Sequence, residues 1–111
     1  MLKKVEDKKS TAADLFKLGQ YGEALKSYRA AVQVLESATE DFPLFKRELA
    51  QMEATIFNNM AACSRKELNS KAEIEFSTKV IDLTEYISDR SVLLKAFLRR
   101  GLAYEQIEKY L

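Results

Sequence analysis

The sequence predicts an all-α fold made of antiparallel helix pairs, in about two and a half copies of a repeated unit. Only one proline and three glycines occur in 111 residues, too few turn formers for an all-β fold. Hydrophobic residues make up 47% and charged residues 32%, which is typical of amphipathic helices around a shared core. The aromatic, glycine and alanine spacing of residues 15–32 recurs twice downstream, and such recurrence indicates stacked helical repeats.

The apolar periodicity and the turn residues predict where each helix lies. Gly19 and Gly22 bracket the first turn, and Pro43 restarts the chain because proline is compatible with a first helical position. Ser70 and Glu73 have capping-box spacing, so we expect Ser70 to cap the fourth helix and Glu73 to reach back to the serine amide. The five helices are expected near 3–18, 22–39, 44–67, 71–85 and 90–108.

The repeats are longer than the common unit of about 34 residues. The small residue that marks each first helix falls at Ala12, Ala61 and Gly101, 49 and then 40 positions apart. We expect the additional residues to lie in extended helices or in loops. We therefore predict a single domain with repeat one at about 5–39, repeat two at about 44–85 and a partial repeat three at about 90–111.

The fifth helix has no following helix in this sequence to pack against. Its apolar residues Leu102, Tyr104 and Ile107 are therefore expected to leave apolar surface exposed. Self-association through this last helix, or continuation of the natural chain, would cover that surface.

The composition argues against several classes of function. Cys63 is the single cysteine and no histidine is present, so neither an internal disulfide nor a thiol–imidazole pair can form, and Cys63 is expected to be a buried apolar residue. No metal-ligand cluster or phosphate-cradling glycine loop is present, so we predict no enzyme activity, no cofactor and no metal. The interspersed net charge of +1 argues against nucleic acid. With no apolar run of about 20 residues and no signal segment, we expect a cytoplasmic protein without a membrane partner.

Basic and amide side chains on the odd-numbered helices form the candidate binding site. Lys95 and Arg99 lie one helical turn apart, a like-charge spacing that is unfavourable unless an anion binds between them. Asn59 occupies the same repeat position on the third helix as Arg99 on the fifth, and Lys9 falls near this face on the first helix. Two other interpretations remain open. The Lys95–Arg99 pair could be a solvated helix face, and Asn59 could cap or bridge backbone groups between helices.

These motifs resemble those of tetratricopeptide repeats. Asn59-Met60-Ala61-Ala62-Cys63 resembles the family's Asn-Arg-Ala-Ala-Cys, and Lys95-Ala96-Phe97-Leu98-Arg99-Arg100 resembles its Lys-Ala-Tyr-Tyr-Arg-Arg. Both motifs are similar to those of carboxylate-clamp domains of co-chaperones, which grip the C-terminal carboxylate and terminal aspartate of a partner. The resemblance implies a right-handed superhelix with a concave groove.

Carried over residue by residue, the resemblance implies a clamp at four of the family's five positions: Lys9, Asn59, Lys95 and Arg99. Lys66 and Ala13 are secondary contact positions. The implied partners are the acidic C-terminal tails, ending Glu-Glu-Val-Asp, of 70 kDa and 90 kDa heat-shock chaperones.

One clamp position departs from the family. Ala13 stands where an asparagine is usual, so one carboxylate donor is missing. The first helix also matches poorly at its packing positions, so Lys4 or Lys8 could take the place of Lys9. Ala13 favours the alternative function, a structural tetratricopeptide scaffold that joins a larger assembly through another surface without reading a terminus.

Overall fold

The computed structural model describes residues 1–109, which form five α-helices and two short 3₁₀ turns. No β-strand occurs within this described range, so the all-α prediction is confirmed. Each helix bound lies within three residues of its expected position. The helices are α1 Leu2–Lys17, α2 Tyr21–Asp41, α3 Lys46–Lys66, α4 Ser70–Asp82 and α5 Arg90–Glu108, and the 3₁₀ turns are Pro43–Phe45 and Thr84–Tyr86.

The helices pack in chain order as antiparallel pairs. α1 packs on α2 and α3 on α4, while α2–α3 and α4–α5 contacts join one pair to the next. α3 also contacts α5, so it is the central helix of the stack and carries the largest share of the buried residues. The largest fully buried apolar side chains are Val5, Leu35, Ile56, Met60 and Val80. This arrangement confirms the predicted tetratricopeptide-like architecture.

The turns within the two helix pairs have the same backbone geometry. Gly19 has φ +78°, and Leu68 has φ 59° at the corresponding place in the second pair. In each turn the next residue donates its amide to a carbonyl five residues earlier, Gln20 to Leu15 at 2.9 Å and Asn69 to Ser64 at 2.9 Å. This bond defines a Schellman motif, whose left-handed residue is usually glycine.

We expect Leu68→Gly to raise the free energy of unfolding by about 0.5–1 kcal/mol, because the left-handed conformation is unfavourable for a residue with a Cβ. Leu68 is 87% exposed, so little packing is lost. Urea unfolding followed by circular dichroism measures the change. Gly19→Leu is the matched control, because nothing lies within 4 Å of the Cβ it adds, and it should destabilise. An unchanged or lower stability for Leu68→Gly would contradict the prediction.

The predicted capping box at the start of α4 is wrong. The cap is Asn69, whose side chain accepts a hydrogen bond from the Ala72 amide at 3.1 Å. Ser70 is the first helical residue and Glu73 lies one position beyond the capping-box site. The physical reason is the turn at Leu68, which fixes the residue at which the chain enters the helix. Pro43 likewise begins a 3₁₀ turn, and α3 starts at Lys46.

Apolar side chains are exposed along α5, whose buried residues in the described range are Ala96 and Ala103. Leu102 and Tyr104 are exposed as expected, while Ile107 is half-buried. The predicted third repeat also includes positions 110–111, which lie outside the described residues. Within residues 1–109, no helix combines the length and the hydropathy needed to cross a membrane.

Candidate functional site

Two hydrogen bonds through Asn58 fix α5 against α3. The Asn58 amide, with 4% of the residue exposed, donates to the Val92 carbonyl at 2.9 Å near the start of α5. The Arg99 guanidinium donates in return to the Asn58 carbonyl at 2.9 Å. The sequence suggested Asn59 as a residue that bridges backbone groups between helices. In the structure Asn58 makes this bridge. In the sequence, the two adjacent asparagines differ only in the face of α3 on which each lies.

Arg99 lies beside the α3 backbone at the residue that precedes Asn59. Asn59 is half-buried, and its side-chain amide forms no hydrogen bond with any other residue described in 1–109. Lys95 is exposed one turn before Arg99 on α5. A guanidinium carries five N–H donors, and the bond to Asn58 uses one of them. The structure thus bonds Arg99 to α3 at the residue that precedes Asn59, and Lys95 lies one turn before Arg99 on α5.

Lys9 forms its ion pair on its own helix. Its Nζ is 3.6 Å from Glu6 Oε1 on the same helix, and no hydrogen bond or ion pair within the described chain joins Lys9 to α3 or α5. α1 is instead held to α2, where the Ser27 hydroxyl donates to the Lys8 carbonyl at 2.8 Å. Exposed ion pairs are worth about 0–1 kcal/mol, so Glu6 is easily exchanged for another anion.

The other predicted positions lie on α1 and at the end of α3. Ala13 is half-buried on α1, one turn beyond Lys9, and Lys66 is exposed at the last residue of α3. Lys4 and Lys8, the alternatives to Lys9, line a pocket between α1 and α2 together with Val34 and Phe42. They therefore face α2 and do not share the position of Lys9. Cys63 is fully buried as predicted, and burial raises the pKa of its thiol to about 11.

The sequence did not predict a buried carboxylate paired with Arg65. Glu73 Oε2 is 3.4 Å from Arg65 Nη1, and only 3% of the Glu73 side chain is exposed. Burial raises the pKa of Glu73, while Arg65 and Arg99 act to lower it. Burial lowers the pKa of Arg99, and Glu73 opposes that shift. The signal was present in the sequence, since Glu73 stands where the first helix pair has Ala24, five residues after the left-handed turn residue.

The comparisons with known proteins cover most of this chain. The human sperm-associated antigen 1 is 33% identical over 102 residues, 92% of this chain and 10% of that protein. Sperm-associated antigen 1A of Danio rerio is 35% identical over 96 residues, 86% of this chain and 19% of that protein. The human mitochondrial import receptor subunit TOM34 is 31% identical over 106 residues, 96% of this chain and 30% of that protein.

The chain spans between a tenth and three tenths of the length of these relatives. No family model matches it, and no solved structure matches it. The stacked helix pairs and their shared left-handed turn give this chain a tetratricopeptide-like fold. The chain carries a tetratricopeptide-type domain. In this tetratricopeptide-type domain, Asn59 lies on α3, and Lys95 and Arg99 lie on α5.

Proposed function

We propose that this tetratricopeptide-type domain is a non-enzymatic protein-interaction module that binds the acidic C-terminal tail of a partner through its terminal carboxylate. The observation that supports the proposal is the hydrogen bond that holds Arg99 on the α3 backbone at Asn58, the residue before Asn59. Lys95 supplies an exposed ammonium on the same helix as Arg99. Lys9 completes the clamp from α1 once a ligand replaces Glu6.

The chemistry of these donors suits a carboxylate. Ammonium and guanidinium groups form charge-assisted hydrogen bonds with carboxylates, each worth about 1.5–3 kcal/mol. An amide such as that of Asn59 adds a neutral donor. Capture of a C-terminal carboxylate is an established mode of peptide recognition. Ala13 offers no donor, so the clamp has four polar positions, and Lys66 lies further along α3 for acidic residues upstream of the terminus.

The partners that fit this chemistry are the tails ending Glu-Glu-Val-Asp of 70 kDa and 90 kDa heat-shock chaperones, in the cytoplasm. The motifs around Asn59 and Lys95 support this choice, because they resemble those of carboxylate-clamp co-chaperones. A relative named as an import receptor subunit supports a binding role in general. A co-chaperone adaptor is the resulting function.

The exposed apolar side chains of α5 favour a second candidate function. Leu94, Phe97, Leu98 and Tyr104 are each at least 50% exposed, and exposed apolar patches mark interaction surfaces. In this candidate function the domain is a structural scaffold that joins an assembly through α5, by self-association or by contact with another protein. The absent donor at Ala13 is consistent with it.

Calorimetric titration with two pentapeptides tests the leading proposal. A peptide ending in a free aspartate carboxylate should bind with a micromolar Kd, because the site offers a few charged bonds and little area. The same peptide with an amidated C-terminus should bind at least about tenfold more weakly, since the amide removes the charge that strengthens those bonds. Equal affinity for the two peptides would contradict the clamp. Failure of both to bind, with concentration-dependent association in sedimentation, would favour the scaffold.

A further inference from the structure

The outer face of α5 carries a regular stripe of exposed residues. Its members recur at alternating intervals of four and three positions, the spacing that forms the contact seam of paired helices. The six members, which we call the outer stripe, are all exposed: Arg90, Leu94, Phe97, Gly101, Tyr104 and Glu108. Its three bulky apolar side chains are each at least 50% exposed. No helix within residues 1–109 therefore covers this seam.

The outer stripe lies on the side of α5 opposite the carboxylate site. Arg99 donates to the Asn58 carbonyl of α3 at 2.9 Å. Phe97 and Gly101 are each two positions from Arg99, which corresponds to about 200° around a helix. Contact with the outer stripe therefore leaves Arg99 in its place on α3.

Gly101 leaves room for a close helix crossing. Nothing lies within 4 Å of a Cβ added at Gly101, so packing inside the chain does not require a glycine there. Glycine inside a helix costs about 0.5–1 kcal/mol relative to alanine. Ala12 and Ala61, at the equivalent repeat positions, are fully buried against neighbouring helices. The small residue marks a position where a second helix packs, and at Gly101 that position is open.

The outer stripe is shaped differently from its counterpart on α3. The counterparts, 40 positions earlier, are all buried: Ala54, Phe57, Ala61 and Ser64. Leu94 and Tyr104 are much larger than Ala54 and Ser64, so α5 cannot receive a helix as closely along its length as α3 does. The outer stripe has one gap, at Gly101, between bulky residues. The helix that fits it carries a bulky side chain opposite that gap.

A second copy of α5 meets this requirement. In an antiparallel pair whose two-fold axis lies midway between Phe97 and Gly101, the outer stripes of the two copies match member by member. The facing pairs are Phe97 with Gly101, Leu94 with Tyr104, and Arg90 with Glu108. A bulky ring meets a gap, apolar meets apolar, and opposite charges meet at both ends. The stripe is thus self-complementary in shape and charge.

We propose that two copies of this chain associate through the outer stripe as an antiparallel pair of α5 helices, with Phe97 of each copy against Gly101 of the other. The inference does not rest on the carboxylate clamp, and it gives the scaffold candidate a defined partner. α5 has 19 residues and is about 28 Å long. One helix pair of this length is smaller than a standard interface of about 800 Å² per partner, so we expect a micromolar dissociation constant.

Sedimentation equilibrium of the parent and Gly101→Leu tests the association. Leucine fills the gap that Phe97 of the second copy occupies, so the dimer should weaken at least about tenfold. The monomer should keep its helicity by circular dichroism, because leucine is the better helix former. Thr55→Leu adds the same side chain at an exposed position of α3 and should leave the dimer unchanged. A parent that stays monomeric at millimolar concentration overturns the inference and favours a helix of another protein as the occupant.

An exchange of charges tests the pairing at the ends of the stripe. Arg90→Glu and Glu108→Arg each place like charges opposite one another, so each should weaken the dimer by about threefold or more. Together in one chain they restore opposite charges, and the affinity should return to within about twofold of the parent value. A loss that persists in the double variant overturns the inference.

Disulfide cross-linking tests the antiparallel orientation. A mixture of Leu94→Cys and Tyr104→Cys should form a covalent dimer on oxidation, whereas Leu94→Cys alone should not. In the proposed pair the two residues 94 lie ten positions apart along the axis, about 15 Å, beyond the Cα separation of about 7 Å that a disulfide spans. Cys63 is fully buried and does not compete. A covalent dimer of Leu94→Cys alone would overturn the inference, whatever the peptide titration shows of the clamp.

Discussion

Lys95→Glu is expected to weaken binding of the free-acid pentapeptide by at least about thirtyfold, which corresponds to about 2 kcal/mol. The substitution removes a charge-assisted donor and places a negative charge one turn from Arg99. Lys95 is exposed on α5, so the change should leave the free energy of unfolding within about 0.5 kcal/mol of the parent value. Calorimetric titration measures the affinity, and urea unfolding measures the stability.

Lys71→Glu is the matched control for this reversal of charge. Lys71 is exposed on α4, so the control makes the same change of net charge on a different helix. If both variants lose affinity equally, the effect comes from the net charge of the protein and not from the clamp. Arg99→Ala is a poorer choice, because it also removes the hydrogen bond to the Asn58 carbonyl. Arg99→Lys is the better substitution at this position. It keeps the positive charge and removes the planar set of N–H donors of the guanidinium.

Leu35→Ala should lower the free energy of unfolding by about 3 kcal/mol, within the range of about 2–5 kcal/mol found for large-to-small changes in protein cores. Leu35 lies on α2, is fully buried and belongs to the core cluster that includes Leu49 and Ile56 of α3. The substitution removes buried apolar area and leaves a cavity that rigid helices fill only in part. Urea unfolding followed by circular dichroism measures the loss.

An exposed leucine supplies the control for the core variant. Leu44 is 94% exposed in the 3₁₀ turn between α2 and α3. Leu44→Ala should change the free energy of unfolding by less than about 0.5 kcal/mol. A loss of less than about 1 kcal/mol for Leu35→Ala would contradict its position in the core.

The sequence by itself determined the helix pairs of this protein. Apolar periodicity located all five helices, because a helix buries one face and its sequence repeats with the helical period. Gly19 marked the first turn, since a left-handed residue favours glycine. Cys63 was predicted to be buried from its residue type alone, and it is. These features depend on residues that are close together in the chain.

The tertiary structure decided which polar side chains meet between helices. Asn58 and Asn59 are the same type of residue at adjacent positions. Only the packing of α5 on α3 buries Asn58 and bonds its side chain to the Val92 carbonyl. Glu73 has the spacing of a cap, yet the turn at Leu68 places it inside, against Arg65. Contacts of this kind depend on the angle and register at which two helices cross, and a single helical sequence does not specify either.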